Sequence, residues 1–178
     1  MVSYCPERLL INIRIFAFCI AWRNDEAVIF GKKIITKRKV AWYGDPSLLI
    51  CLFRQLKVCP ALDKKELLEL KALIETETSE TYNSCLLNLY HNGREGTGWH
   101  SDNEHDLKKE GTIASLSLGA ERKFVLKHKQ ANEKVELLLE HGSLLVMKGK
   151  TQTCWLHTLP TTKRIMQLRI SLTFRIII

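Results

Sequence analysis

From Asn83 onward the chain alternates apolar and polar residues in short runs, a period of two that predicts β-strands. The runs are Asn83 to Tyr90, Trp99 to Glu104, Thr112 to Leu118, Lys123 to His128, Lys134 to Glu140, Ser143 to Met147, Thr153 to His157 and Gln167 to Ile177. Turn-forming residues separate them at His91-Asn92-Gly93, Gly96-Thr97-Gly98, Gly119-Ala120, Ala131-Asn132 and His141-Gly142. Many short strands at this spacing predict two packed sheets in a barrel-like jelly roll.

Before Asn83 the pattern is mixed. Asp63-Lys64-Lys65-Glu66 reads as a capping-box start for a helix to about Thr76, with Leu67, Leu70 and Ile74 along one face as a brace against a sheet. Ala27 to Gly31 and Lys39 to Tyr43 read as strands flanking a basic loop, Lys32 to Lys39, and residues 48 to 62 show no clear period. Leu9 to Trp22 is the most apolar run. It is too short to span a bilayer, carries Asn12 and Arg14 inside it and lacks a small-x-small cleavage site, so it reads as a buried helix or strand. The fold class predicted is mainly β with flanking helices (α+β).

A length of 178 residues suits one domain, and no repeat, linker or low-complexity tract divides it. Cys5, Cys19, Cys51, Cys59, Cys85 and Cys154 form no C-x-x-C pair, which argues against a zinc site or a disulfide framework and for a reducing, intracellular setting, cytoplasm or nucleus if eukaryotic. The net charge is +8, and residues 1 to 60 hold 10 Lys and Arg against 4 Asp and Glu. That asymmetry points to an anionic partner held by the N-terminal part. Five cations between Lys32 and Lys39 read either as a solvated turn or, with Trp42 and Tyr43 beside them, as phosphate contacts next to aromatic stacking surfaces for a single strand.

The candidate chemistry lies in Trp99-His100-Ser101-Asp102-Asn103-Glu104. On an extended backbone His100, Asp102 and Glu104 share one face. Alone, an H-x-D pair reads equally as a turn histidine beside a solvated aspartate. With His157 as a third ligand it becomes a two-histidine, one-carboxylate set, the preferred home of non-haem Fe(II). Leu89 and Trp99 alternate away from these inward residues and are expected in the core, and no metal role falls to His91, His105, His128 or His141. In the tail, Arg169, Ser171, Thr173 and Arg175 share a face opposite Ile170, Leu172 and Phe174. An inward row with two arginines is costly unless an anion meets it, and a small dicarboxylate would. Asn88 and Tyr90 are likewise co-facial; the alternative for each such strand is an edge whose polar face is in water.

Asn88-x-Tyr90, His100-x-Asp102, His157 and Arg169-x-Ser171-Leu172-Thr173-Phe174-Arg175, in this order, resemble the AlkB-like Fe(II)/2-oxoglutarate dioxygenases, which remove alkyl groups from nucleic-acid bases. Ala41 to Asp45, Ser115 to Ala120 and His141 to Met147 agree with that family, and the likeness runs from about Trp22 to the C-terminus. The resemblance implies a double-stranded β-helix jelly roll. It implies one Fe(II)/2-oxoglutarate dioxygenase domain over residues 1 to 178, with 1 to 62 as N-terminal extension and substrate lid and 83 to 178 as the core. It further implies Fe(II) on His100, Asp102 and His157, with 2-oxoglutarate and O2 as cosubstrates. Arg169 and Tyr90 would then hold the remote carboxylate of 2-oxoglutarate, with Arg175 and Asn88 near its other end. Ser171 stands where the family commonly has asparagine, and Leu48 to Arg54 contains no tyrosine where the family's lid has a Tyr-x-Tyr-Ser phrase.

The implied reaction is oxidative demethylation of N-alkylated bases in DNA or RNA, single strands or damaged sites preferred, with release of formaldehyde, succinate and CO2. Trp42, Tyr43 and Glu104 are the substrate-side candidates, and a monomer without a membrane partner is expected. Two alternatives stay open: a 2-oxoglutarate dioxygenase acting on protein or lipid, and a non-catalytic nucleic-acid-binding relative.

Overall fold

The computed structural model of the chain describes residues 2–5, 13–29, 32–45, 49–52, 55–58 and 64–178. In order the elements are β1 (Val2–Cys5), α1 (Ile13–Cys19), β2 (Arg23–Ile29), β3 (Lys32–Gly44), β4 (Leu49–Leu52), β5 (Gln55–Val58), α2 (Lys65–Thr78), β6 (Ser84–Tyr90) and β7 (Thr97–His100). There follow β8 (Ile113–Gly119), β9 (Arg122–His128), β10 (Lys134–Leu139), β11 (Leu144–Met147), α3 (Thr151–Cys154), β12 (Trp155–Leu159) and β13 (Arg169–Arg175).

A seven-stranded sheet runs β1-β11-β8-β13-β6-β3-β2, a four-stranded sheet runs β10-β9-β12-β7, and β4 with β5 makes a separate hairpin. The larger sheet owes its position to alternation. Leu87, Leu116, Leu172 and Phe174 point to one face and pack with Phe16, Leu67, Leu70 and Ile74 of α1 and α2. The residues between them face the smaller sheet, where Tyr90, Leu145 and Met147 meet Phe124, Leu126, Leu139 and Leu159. The architecture is therefore the mainly β jelly roll, with helices on one outer face.

Departures from the predicted elements have local causes. The basic stretch is strand, not loop: β3 runs unbroken from Lys32 and pairs antiparallel with β2. Ile34, Ile35, Thr36 and Val40 give it β-branched character, Lys37 is exposed at the sheet's end, and Arg38 is paired with the buried Asp25. β1, which no alternation announced, pairs with β11. Thr151–Cys154 is a short helix before β12, so that strand starts two residues late. In α2 the N-cap is Lys64 with no side-chain cap bond, and the expected cap Asp63 lies outside the described residues. The Leu9 to Trp22 run forms α1 only from Ile13; Phe16 and Ile20 are buried but Phe18 is exposed, and residues 9–12 lie outside the described residues.

Two devices hold the ends of the site strands. Gly119 ends β8 at φ +89°, where an added Cβ would lie 2.4 Å from the Leu168 carbonyl oxygen, so glycine alone fits there. Arg122, 1% exposed, donates to the carbonyls of Asn92, Gly93, Glu95 and Pro160 and so ties the loop before β7 to the loop after β12. Its replacement by Met removes a donor from all four carbonyls, of which Asn92 and Gly93 still accept from the Glu95 and Thr162 N–H groups. Arg122→Met is expected to lose about 3 kcal/mol of stability in urea unfolding, whereas Lys123→Ala, an exposed neighbour, should stay within about 0.5 kcal/mol of the parent.

Candidate active site

Between the two sheets lies a cavity of about 980 Å³ whose wall includes Trp42, Asn88, Tyr90, His100, Asp102, Glu104, His157, Arg169, Ser171 and Arg175. His100 and His157 are register partners on β7 and β12, which sets their rings edge to face with centroids 4.3 Å apart. The Nδ1 of His100 lies 2.8 Å from the Gly98 carbonyl oxygen. That oxygen can only accept, so Nδ1 carries the proton and Nε2 is left as a lone-pair donor.

Asp102 arrives by a different route from the predicted one. β7 stops at His100, and Ser101 to Glu104 has no regular structure, with the Asn103 N–H turned back onto the Ser101 carbonyl. The parity expected to align His100, Asp102 and Glu104 on one strand therefore does not operate. Asp102 is held instead by its partners: its N–H donates to Gln152 Oε1 at 2.9 Å, and Arg175 Nη2 donates to its Oδ2 at 2.8 Å. Its Oδ1 is left facing His100 Nε2 at 3.8 Å. One ligand atom each from His100, Asp102 and His157 lies within 4.8 Å of the others.

Electrostatics suit a cation there. Burial alone would push the Asp102 carboxyl up, but Arg175, with His157 and His100, outweighs it and holds the group below the usual carboxylate range. Burial pushes His157 down to about 4 against the pull of Asp102, so its imidazole is neutral and able to ligate. Phe124 stacks on the His157 ring at 5.4 Å.

The row on β13 behaves as its alternation predicts, and it has an anion of its own. Arg175 meets Asp102, and its guanidinium also lies 5.8 Å from the Trp42 ring centroid. Arg169 is paired in register with Tyr90 and donates only to Ser117 Oγ. Burial pushes its pKa down to about 10, Tyr90 opposing and Arg122 adding to the shift, and it remains a cation at neutral pH. Among the described residues, the buried side-chain nitrogens without a hydrogen-bond partner are Arg38 Nε, Trp42 Nε1, Arg169 Nε and Nη1, and Arg175 Nε. All five belong to residues that line this one cavity.

Tyr43 and Trp99 do not lie as expected, whereas Glu104 reaches the expected rim without the strand parity that was to put it there. Tyr43, expected to stack on a base, borders the cavity but is 5% exposed, joins the helix-side core and accepts the Ala21 N–H. Trp99, expected in the core, is 47% exposed. Glu104 is exposed at the cavity rim. Gln152 gives no signal in the sequence, and Arg38 enters only as one of the five cations between Lys32 and Lys39. Arg38 Nη2 and the Thr36 hydroxyl of β3 both donate to Asp25 Oδ2 of β2, at 2.6 and 3.1 Å, and so join the two strands of the hairpin.

The 2OG-Fe(II) oxygenase superfamily profile matches residues 40–175, a span containing all three candidate ligands and both arginines of β13. The chain belongs to that superfamily. It is 38% identical over 155 residues to DNA oxidative demethylase ALKBH2 of Bos taurus, covering 83% of this chain and 55% of that protein. The figures for ALKBH2 of Homo sapiens are 38%, 83% and 59%. Alpha-ketoglutarate-dependent dioxygenase alkB homolog 3 of Bos taurus is 38% identical over 166 residues, covering 88% of this chain and 57% of that protein. The chain thus spans a little over half the length of these relatives, and it is an AlkB-like member of the superfamily. A solved structure, that of OsALKBH1, shares the fold, with TM-score 0.63 at 18% identity over 98% of this chain and 97% of that one.

The cavity fits what a superfamily of this name binds. Two imidazoles and a carboxylate with one oxygen not bonded to Arg175 suit Fe(II), and the unpartnered Arg169 nitrogens suit a carboxylate of 2-oxoglutarate. Lysine at 169 keeps the charge but not the planar fork. Arg169→Lys is expected to weaken 2-oxoglutarate binding by on the order of 1 to 3 kcal/mol, measured by calorimetric titration, with a smaller change in the urea midpoint. An unchanged affinity would show that Arg169 does not meet the cosubstrate.

Proposed function

We propose that this chain carries out oxidative demethylation of N-alkylated bases in DNA or RNA, single strands preferred, releasing formaldehyde, succinate and CO2. The carrying observation is the coincidence, on one cavity wall, of the His-Asp-His set with every partnerless buried donor among the described residues. The relatives named DNA oxidative demethylase support the choice of substrate. In this reading residues 1 to 178 act as one dioxygenase domain, 83 to 178 its jelly-roll core and 1 to 62 its extension and lid, monomeric and intracellular. Among the described residues no helix is long and apolar enough to cross a membrane.

His100, Asp102 and His157 hold Fe(II), which with 2-oxoglutarate and O2 supplies the oxidation of the methyl group. Arg175 keeps Asp102 ionised and leaves one of its oxygens for the metal. Arg169 and Tyr90 orient the cosubstrate through its remote carboxylate, while Asn88, Ser171 and Arg175 serve its other end. A hydroxyl at 171 donates one hydrogen bond. Trp42 borders the base, and its free N–H gives that wall a donor. A base in a duplex must first be flipped out, so single strands are the easier substrates. Incubation of the purified protein with methylated oligonucleotides, Fe(II), ascorbate and 2-oxoglutarate, read by mass spectrometry, should show loss of methyl groups with matching succinate. Succinate formation that is indifferent to every methylated strand would overturn the substrate assignment.

Asp102→Ala is expected to abolish Fe(II) binding and turnover together, since two neutral imidazoles then face a dication. Tight stoichiometric Fe(II) in that variant, measured by equilibrium dialysis, would remove the triad.

Glu104 stands at the rim as a hydrogen-bond acceptor. Adenine and cytosine present an exocyclic amine, guanine and thymine a carbonyl. Glu104→Ala should therefore depress activity on 1-methyladenine and 3-methylcytosine about tenfold, well beyond any effect on 1-methylguanine and 3-methylthymine. Equal losses on all four lesions would mean that Glu104 does not read the base.

A further inference from the structure

Trp99 is the one large aromatic among the described residues that is exposed next to a candidate metal ligand. It precedes His100 on β7, so its side chain leaves the strand on the face opposite the cavity and belongs to neither apolar cluster. β7 is also an edge strand, paired only with β12. An indole held open to water at a sheet edge contributes nothing to the core.

Exposed cations stand at both ends of β7, while Glu95 before the strand is turned onto His91 and Glu104 after it faces the cavity rim. Before the strand, Gly93 N–H donates to the Ile165 carbonyl and Thr162 N–H to the Gly93 carbonyl, which sets Arg94 beside Lys163 and Arg164. All three are exposed, and none forms an ion pair with a described residue. After the strand, Lys129 Nζ donates to Ser101 Oγ at 3.1 Å and to the Gln152 carbonyl at 3.0 Å, so a cation is fixed at the turn between His100 and Asp102. Cations at both ends of an open edge with an aromatic face between them complement a polyanion that carries flat bases.

We infer that Trp99 is a stacking platform for the nucleotide next to the target base, with Lys129 on one side and Arg94, Lys163 and Arg164 on the other holding the flanking phosphates. A strand whose target base enters the cavity past Glu104 crosses the Ser101 rim, and its neighbour then meets the indole. This rests on the proposed nucleic-acid function and adds to it that the strand runs along the β7 edge, outside the cavity. A stacked neighbour must be unpaired, so the platform favours single strands for a reason separate from base flipping.

Fluorescence anisotropy of labelled single strands, with Fe(II)-free protein, tests it. Three strands are compared: one with a methylated base between ordinary nucleotides, the same with abasic sites on both sides of that base, and an unmethylated control. Trp99→Ala should weaken binding of the first strand on the order of tenfold, and Trp99→Phe should restore most of the loss. On the strand with abasic neighbours, wild type and Trp99→Ala should bind alike. In addition, the strand should quench a component of the indole emission that Trp99→Phe lacks. Equal binding of the first strand by wild type and Trp99→Ala would overturn the inference, and so would the same loss on both methylated strands, which marks a displaced His100 rather than lost stacking. If wild type binds none of the strands, the nucleic-acid function falls with it. If it binds them and Trp99 makes no difference, only the platform falls.

Discussion

The contact on which the site depends is the 2.8 Å ion pair between Arg175 and Asp102, both buried. Arg175 ends β13, a strand held on both sides by β6 and β8, so its position is set by the centre of the larger sheet. Asp102 has no such support, since it lies beyond the end of an edge strand. The pair transfers the sheet's rigidity to the loop. It also decides the loop's charge: a buried carboxylate would otherwise take up a proton, and removing one partner of a buried pair typically costs about 3 to 5 kcal/mol. The Gln152 bond to the Asp102 N–H adds a second fixed point from α3.

Core and site are opposite faces of the same strands. On β13, Ile170, Leu172 and Phe174 are fully buried against the helices while Arg169, Ser171, Thr173 and Arg175 line the cavity. β6 repeats the division with Cys85, Leu87 and Leu89 against Leu86, Asn88 and Tyr90. A slip of one residue in β13 would put two guanidiniums into the apolar layer and three large apolar side chains into the cavity, so register is enforced by burial on both faces at once. The same alternation bears on Trp42 and Tyr43: both border the cavity, but Tyr43 shares parity with Ala41 and is buried with it in the helix-side core.

Where a strand is paired on both sides, its sequence was readable. The inward rows of β6 and β13 and the position of His157 follow from alternation because the ladder holds each residue to its face. Where pairing stops, the reading lost its basis. Asp102 reached the site through an ion pair instead of through parity, and Glu104 reached the rim through an irregular segment. Alternation places Trp99 in the core only where a strand has two covered faces, which the edge strand β7 lacks. The run of cations in β3 looked like a loop because charge is a poor guide to strand at a sheet's margin, where side chains reach water. Arg122 shares parity with Phe124 and Leu126, and only the four carbonyls gathered around it, from loops distant in sequence, make that burial possible.

The unmet donors say what kind of surface this cavity wall is. A buried donor without a partner typically costs about 1 to 3 kcal/mol, and five of them on four side chains lie around one space. An apolar wall of the same shape would be more stable, and the opposite face of the same sheet shows that the chain can build one. Three of the four side chains are arginines, so the wall is short of acceptors and long in positive charge, with Asp25 and Asp102 each engaging one of them. Arg169 has only the neutral Ser117 hydroxyl. That imbalance is what separates the two ends of the cavity. The deep wall under Arg169 favours an anion, whereas the rim at Glu104 presents an acceptor and disfavours one. Under the proposed function, charge would sort a small dicarboxylate and a base with an exocyclic amine to opposite ends before any shape is considered.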